Sequence, residues 1–214
     1  MSRFTQLALI GALAWACVGV APANAAFQGR LANGSASSTC TVSGATACTM
    51  FYDTTLNITI LNNWSIGFGT WDASAGAGSA QALAESAGFA ATGLTGWVLP
   101  TGDGARAAGA LNQYLSIWDD AGGTTAGLQA RFDGVRSALY WSSTEFTPGV
   151  DAYLFDTLLG DQGAFFENVS LFAVAVRAGD VAASVPEPRS LALVTLALGA
   201  ALLTPRRRRP SGSA

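Results

Sequence analysis

The sequence predicts an α+β domain built on an antiparallel sheet. Two helical patterns lie near the middle of the chain, and a run of short strand patterns follows them instead of alternating with them. A third observation sets the limits of the domain. Short apolar runs at Leu7–Val20 and Leu191–Leu203 leave roughly 160 residues between them, enough for one ordinary core.

The elements follow in chain order. Residues 26–49 are rich in Ser, Thr, Ala and Gly, and read as an extended lead-in or edge hairpin pinned by Cys40 and Cys48. Met50–Asp53 and Asn57–Leu61 carry strand-favouring residues around a turn. Ser79–Ala87 predicts a helix capped by Ser79 and ended by Gly88. Trp97–Leu99 is a short strand stopped by Pro100. A second helix is expected to start near Ala105, because Ala108, Leu111, Leu115 and Trp118 recur at helical intervals along one face. Tyr140–Ser143 reads as a strand. Tyr153–Leu158 and Ala164–Glu167 flank a turn at Gly160–Gly163 and read as a hairpin. Leu171–Arg177 is almost wholly apolar and predicts one central buried strand. The domain is thus bounded at 50–180, with 181–189 as a linker. No internal repeat is visible.

The two ends carry addresses. Arg3 precedes the first apolar run, and Ala23-Asn24-Ala25 follows it. A charge, a short greasy stretch and small residues two apart are the grammar of a signal peptide, so residues 1–25 are expected to be removed by signal peptidase. Cys17 raises a lipoprotein reading, but the bulky Trp15 fits a lipobox poorly. At the other end, Val185-Pro186-Glu187-Pro188 precedes the apolar run, and Arg206, Arg207, Arg208 and Arg209 follow it. Residues 190–205 read as a transmembrane helix and 206–214 as an Arg-rich cytoplasmic tail. Ser190–Thr204 as a helix would span ~22 Å at ~1.5 Å per residue, short of the ~30 Å hydrocarbon core. Snorkelling arginines and local thinning would have to cover the difference. The leader sends the N-terminus out and the arginines keep the C-terminus in, so both segments agree on one topology.

In order, Val185-Pro186-Glu187-Pro188, the apolar run and the arginines resemble the PEP-CTERM sorting signal. The resemblance covers about the last thirty residues. It implies processing by an exosortase-type membrane enzyme in a Gram-negative bacterium, with transient anchoring in the inner membrane. It also implies a final place at the cell surface or in the exopolysaccharide matrix. The tail specifies an address and no activity.

Charge and composition exclude several functions. The part between the ends holds five arginines against thirteen carboxylates, near net −8, with no Lys and no His. Nucleic-acid binding is disfavoured, since phosphate contacts need clustered cations. Without His there is no Ser-His-Asp or Cys-His nucleophile system and no ordinary His-containing zinc site. Cys40 and Cys48 alone remain after leader removal. In an oxidising compartment a disulfide is expected over two free thiols, stabilising by ~2–3 kcal/mol for so short a loop.

Four segments in the middle, taken in order, resemble a second family. They are Tyr52–Thr59, Gly96-Trp97-Val98-Leu99-Pro100-Thr101, Tyr140-Trp141-Ser142-Ser143-Thr144-Glu145 and Ala173–Arg177. Together they are similar to the collagen-like-protein C-terminal domain family, over roughly residues 50–180. That likeness implies a C-type-lectin-like fold, with a twisted antiparallel sheet and two helices, related to formylglycine-generating enzymes. It also implies surface roles in adhesion or glycan contact. The sequence departs from the family at Val98, where Arg is usual, and at Ile60, where Trp is common. Neither Cys falls where the formylglycine-generating chemistry needs one. Read from the residues themselves, Trp97, Leu99, Trp141 and Phe172 are core candidates. Tyr140, Ser142, Ser143 and Pro100 shape strands and turns, and Arg177 ends an apolar strand where its charge pairs or reaches solvent.

Three constellations carry candidate chemistry. Gly102-Asp103-Gly104-Ala105-Arg106-Ala107 fits a loose dinucleotide spelling but lacks a strand–helix–strand setting, so it reads as a loop. Asp151, Asp156, Asp161 and Glu167 could supply oxygen ligands to calcium. Neither EF-hand nor lectin-type spacing accompanies them, and solvated turn carboxylates are the preferred reading. Asp119, Asp120 and Glu145 could in principle serve glycoside cleavage. The expectation is a non-enzymatic exported surface or matrix protein with weak glycan binding or adhesion, and no cofactor or metal. The alternative is a secreted carboxylate-dependent glycan hydrolase.

Overall fold

The structure, a computed structural model, describes residues 27–104 and 108–182. Ala23 and Ala25 of the expected leader, Val185–Pro188, the expected 190–205 helix and Arg206–Arg209 lie outside the described residues. Among the described residues, no helix is long and apolar enough to cross a membrane.

The α+β class holds, but among the described residues ten strands form two five-stranded sheets where one was expected. The first sheet contains β1 (Phe27–Arg30), β2 (Met50–Asp53), β3 (Ile58–Leu61), β10 (Val176–Ala178) and β5 (Trp97–Val98) in that order. All its pairings are antiparallel. The second contains β4 (Phe68–Gly69), β9 (Leu171–Phe172), β6 (Leu139–Thr147), β7 (Asp151–Asp156) and β8 (Asp161–Phe166). It is mixed, since β6 and β9 run parallel.

The lead-in is part of the fold. β1 forms the edge of the first sheet against β2, and the Cys40–Cys48 disulfide closes the loop behind it. The β2–β3 turn is held by Asp53, whose Oδ1 accepts from Thr55 N and Leu56 N at 2.8 and 3.0 Å. Asn57 completes it at φ 53°, a conformation that Asn tolerates. Every residue of β3 is buried, as expected of a strand covered on both faces.

The helices depart from the sequence reading in length and number. α1 (Ala80–Thr92) is capped by Ser79, which accepts from Ala82 N, as its sequence suggests. It does not stop at Gly88; it runs through to Gly93, which adopts the left-handed cap at φ 71°. α2 (Gln113–Asp120) starts eight residues after Ala105, capped by Asn112. Leu111 precedes it, 77% exposed, so the apparent helical face was partly a coincidence of spacing. α3 (Thr125–Arg131), capped by Thr124, was not anticipated. It is one short turn-rich segment with Leu128 as its buried residue, too little periodicity to read.

Leu171–Arg177 is not one strand. β9 pairs in the second sheet, β10 pairs in the first, and Ala173-Val174-Ala175 crosses between them. The crossing explains the unbroken apolarity. Val174 and Val176 enter one core cluster with Trp64, Tyr114, Phe132, Tyr140 and Phe155. Ala173 and Ala175 enter the other with Trp71, Trp97, Leu99, Trp141 and Leu154. Phe172 is only partly buried at the margin of the first cluster, less than a core residue. The other residues singled out in the sequence pack and pair within the fold. Tyr140, Trp141 and Ser142 are fully buried, Ser143 N donates to Pro100 O, and Arg177 Nε donates to Thr95 O at an exposed position. Each fully buried aromatic contributes about 1.5–3 kcal/mol of burial. Trp141 and Trp71 also satisfy their ring N–H groups on Gly69 O and Ser142 O.

Candidate functional site: an acidic cleft at the β7–β8 edge

Local geometry gathers four carboxylates at one end of the second sheet. β6 is irregular between Trp141 and Glu145, so that Glu145, and no earlier residue, faces Ala152 of β7. Glu145 Oε1 then accepts from Gly149 N, which sits in the β6–β7 turn at φ 73°. β8 ends at Phe166, opposite Asp151. Glu167 comes next. Its N–H donates to Val150 O and its carbonyl accepts from Trp71 N, which joins the hairpin to the Thr70–Trp71 segment. Asp72 follows Trp71 and accepts from Ser74 N, Ser74 Oγ and Gly76 N at 2.6–2.9 Å.

A cleft of 520 Å³ opens here, lined by Trp71, Val150, Phe166 and Glu167 among others. Phe166 is 59% exposed and lines the cleft, while exposed Phe146 stacks edge-on against Tyr153 at 5.1 Å on the adjoining β6–β7 hairpin, outside the lining. Large exposed rings beside polar groups are the composition of a ligand surface.

The electrostatics single out Glu167. Burial of its carboxyl pushes it above the ordinary Glu range, and the Glu145 charge, contact with the Glu145 carboxyl, Asp151 and Asp72 push it further. Its Oε1 is shut off from solvent with no hydrogen-bond partner. Asp72 goes the other way, lowered first by the Ser74 hydroxyl and then by backbone amides. On acidification Glu167 therefore takes up a proton while Asp72 stays ionised. The cleft can offer carboxylate acceptors to hydroxyl donors, and one carboxyl able to donate.

The structure thus brings Glu145, Asp151 and Glu167 together. Asp156 and Asp161 are left at the opposite end of the hairpin, facing each other across the register. Asp156 Oδ1 there accepts from Leu158 N. Asp119 and Asp120 stand at the end of α2 and line other clefts, away from Glu167. Burial raises the Asp120 carboxyl, helped by Asp53 and Asp119. Among the described residues, no group of three or more His, Cys, Asp or Glu is arranged to hold a metal ion. Gly102–Gly104 is loop, and the β5 strand before it pairs antiparallel with β10, not in the parallel setting of a dinucleotide site.

Sequence reasoning missed Asp72, Trp71 and the fully buried Asp53. The Asp72-Ala73-Ser74-Ala75-Gly76 stretch was a legible side-chain-capped turn. That it meets Glu167 depends on pairing distant in sequence. Compared with known proteins, no family model matches the chain and no curated protein matches it.

Proposed function

We propose that this chain is an exported surface or matrix protein whose domain binds carbohydrate without turning it over. Residues 1–25 address it to signal peptidase, and Val185–Pro188 with Arg206–Arg209 address it to an exosortase-type enzyme and a transient membrane anchor. Exopolysaccharide is the partner, and a C-type-lectin-like arrangement is our finer reading of the α+β domain. The observation that carries this reading is the meeting of a carboxylate, Glu167, with an exposed ring, Phe166, in one cleft. Glu167 offers an acceptor to sugar hydroxyls, and Phe166 offers an apolar face to the C–H side of a pyranose ring.

The hydrolase reading draws on the raised Glu167 carboxyl, which resembles a general acid. Against it, Glu145 already accepts from Gly149 N, and Asp119 and Asp120 stand at the end of α2, lining other clefts.

The test is titration of the purified full chain with the host's own exopolysaccharide and with defined neutral oligosaccharides. Binding should be saturable, weakened by Phe166→Ala and by Glu167→Gln, and unaccompanied by new reducing ends. Absence of binding across the panel sinks the reading. Release of reducing ends that Glu167→Gln abolishes would replace it with the hydrolase.

A further inference from the structure

We infer that a second cleft, between β1, the disulfide loop and the end of α3, binds an acidic sugar through Arg131. This cleft measures 460 Å³, in the range of small-ligand sites. No acidic residue lines it, whereas the three other clefts described each carry at least one carboxylate. In a domain with so large an acidic excess, an anion entering it meets no carboxylate in the lining.

Its walls are fixed. Gly29 lies directly under the disulfide, so close that a Cβ there would stand 2.5 Å from Cys40 Sγ and 2.8 Å from Cys48 Sγ. Phe132, the residue after α3, packs edge-on against Phe27 at 5.3 Å and Phe51 at 5.5 Å. Those contacts hold the end of α3, and with it Arg131, at the mouth of the cleft.

The polar groups inside have unused capacity of the right kind. Arg30 is spent: it pairs with Asp180 at 2.6 Å and also holds Gly29 O and Gln28 Oε1. Arg136 bonds Ser65 and covers Phe172, and Arg177 bonds Thr95 O. Among the described residues, Arg131 has no hydrogen-bond or ion-pair partner. Gln28 uses its oxygen on Arg30, which leaves its amide N–H groups to donate. Ser37 Oγ accepts from Cys40 N and Thr39 N, which leaves its own proton to donate. A guanidinium fork, several donors and an aromatic wall at Phe51 together match a uronate ring. Its carboxylate meets Arg131 in bidentate fashion, its hydroxyls meet Gln28 and Ser37, and its C–H face meets Phe51.

This inference shares the carbohydrate reading above but uses a separate site, so the two can fail separately. The experiment titrates the full chain with trigalacturonate and with its neutral methyl ester. Trigalacturonate should bind saturably, and both esterification and Arg131→Gln should weaken it by about tenfold or more. Arg131→Lys should recover part of the loss, since it keeps charge without the fork. Arg177→Gln should leave binding unchanged, as should Glu167→Gln, which disables the acidic cleft only. Equal binding of acid and ester, equal binding by Arg131→Gln, an equal loss in Arg177→Gln, or no saturable binding overturns the inference. Loss of neutral-glycan binding with trigalacturonate binding intact sinks only the acidic-cleft reading.

Discussion

Gly88 and Trp97 meet with no room for a methyl group between them: a Cβ on Gly88 would stand 2.1 Å from Trp97 Cγ. Two effects of Gly88→Ala therefore oppose each other. Helix propensity favours Ala by about 1 kcal/mol in the interior of α1. The clash falls on a fully buried indole that cannot swing away, and overpacking of that kind costs about 1–3 kcal/mol or more. Packing should win. Gly88→Ala is expected to lower unfolding free energy by about 1–2 kcal/mol in urea denaturation. An unchanged or raised midpoint would show that the helix stands off Trp97.

Asp53 is wholly buried, yet only one of its oxygens is used. Oδ2 has no partner, and burial raises the carboxyl above its ordinary range. Asp53→Asn keeps an acceptor for the Thr55 and Leu56 amides and removes a buried charge. It should be neutral or stabilising at neutral pH, while Asp53→Ala, which strands both amides, should cost about 1–3 kcal/mol. Thermal melts of the two variants beside the parent decide this. A loss in Asn as large as that in Ala would mean the charge itself is needed.

Glu167 ties stability to pH in a definite direction. Its folded carboxyl lies above its ordinary 4.5, so its contribution is full below that value and is lost as pH rises through the folded value. Glu167→Gln removes the repulsion among Glu145, Asp151 and Asp72. The variant should be more stable than the parent at neutral pH, with the difference shrinking as pH falls through the raised folded value and gone below the ordinary 4.5. Urea midpoints measured across that interval test it, and a variant that loses stability at neutral pH contradicts it.

Arg30 and Asp180 show the opposite sign. The Arg30 hydrogen bonds hold the Asp180 carboxyl below its ordinary 3.8, so its contribution is present above that value and is lost as pH falls through the folded value. Arg30 is nearly inaccessible while Asp180 is about one-quarter exposed, so the arginine suffers more when the pair is broken. Asp180→Asn should cost about 1.5–3 kcal/mol, the range for hydrogen bonds to charged groups. Arg30→Lys should not rescue function of the pair, because it loses the two-pronged geometry. Denaturant unfolding of each variant provides the measure; an Asp180→Asn protein as stable as the parent would reduce the pair to an ornament of the surface.

What was legible followed local rules. Ser79 before an apolar run, Asp53 and Asn57 around a turn, and the strand-favouring residues of β2 and β3 each have causes within a few residues, and the structure honours them. The disulfide between Cys40 and Cys48 was legible from compartment and count. Gly88 misled because the same residue ends helices and admits close neighbours, and only Trp97, which lies beyond α1, decides which. Leu171–Arg177 misled because apolarity on both sides means either one strand buried between layers or a segment passing between two cores. The candidate site was half visible. Glu145, Asp151 and Glu167 were marked individually as acids, but their meeting depends on an irregularity in β6 and on Trp71 arriving from more than seventy residues earlier. Arg131 carried no signal, since the short α3 that delivers it has no readable face.

The segment that crosses between the sheets sets a limit on how this molecule can be divided. Successive side chains from Ala173 to Val176 belong alternately to one hydrophobic cluster and the other. Cutting or deleting within those few residues would uncouple neither half cleanly; it would expose both interiors at once. Any attempt to isolate a smaller binding fragment must therefore leave that seam whole, and a protease that reaches it should find an all-or-nothing target.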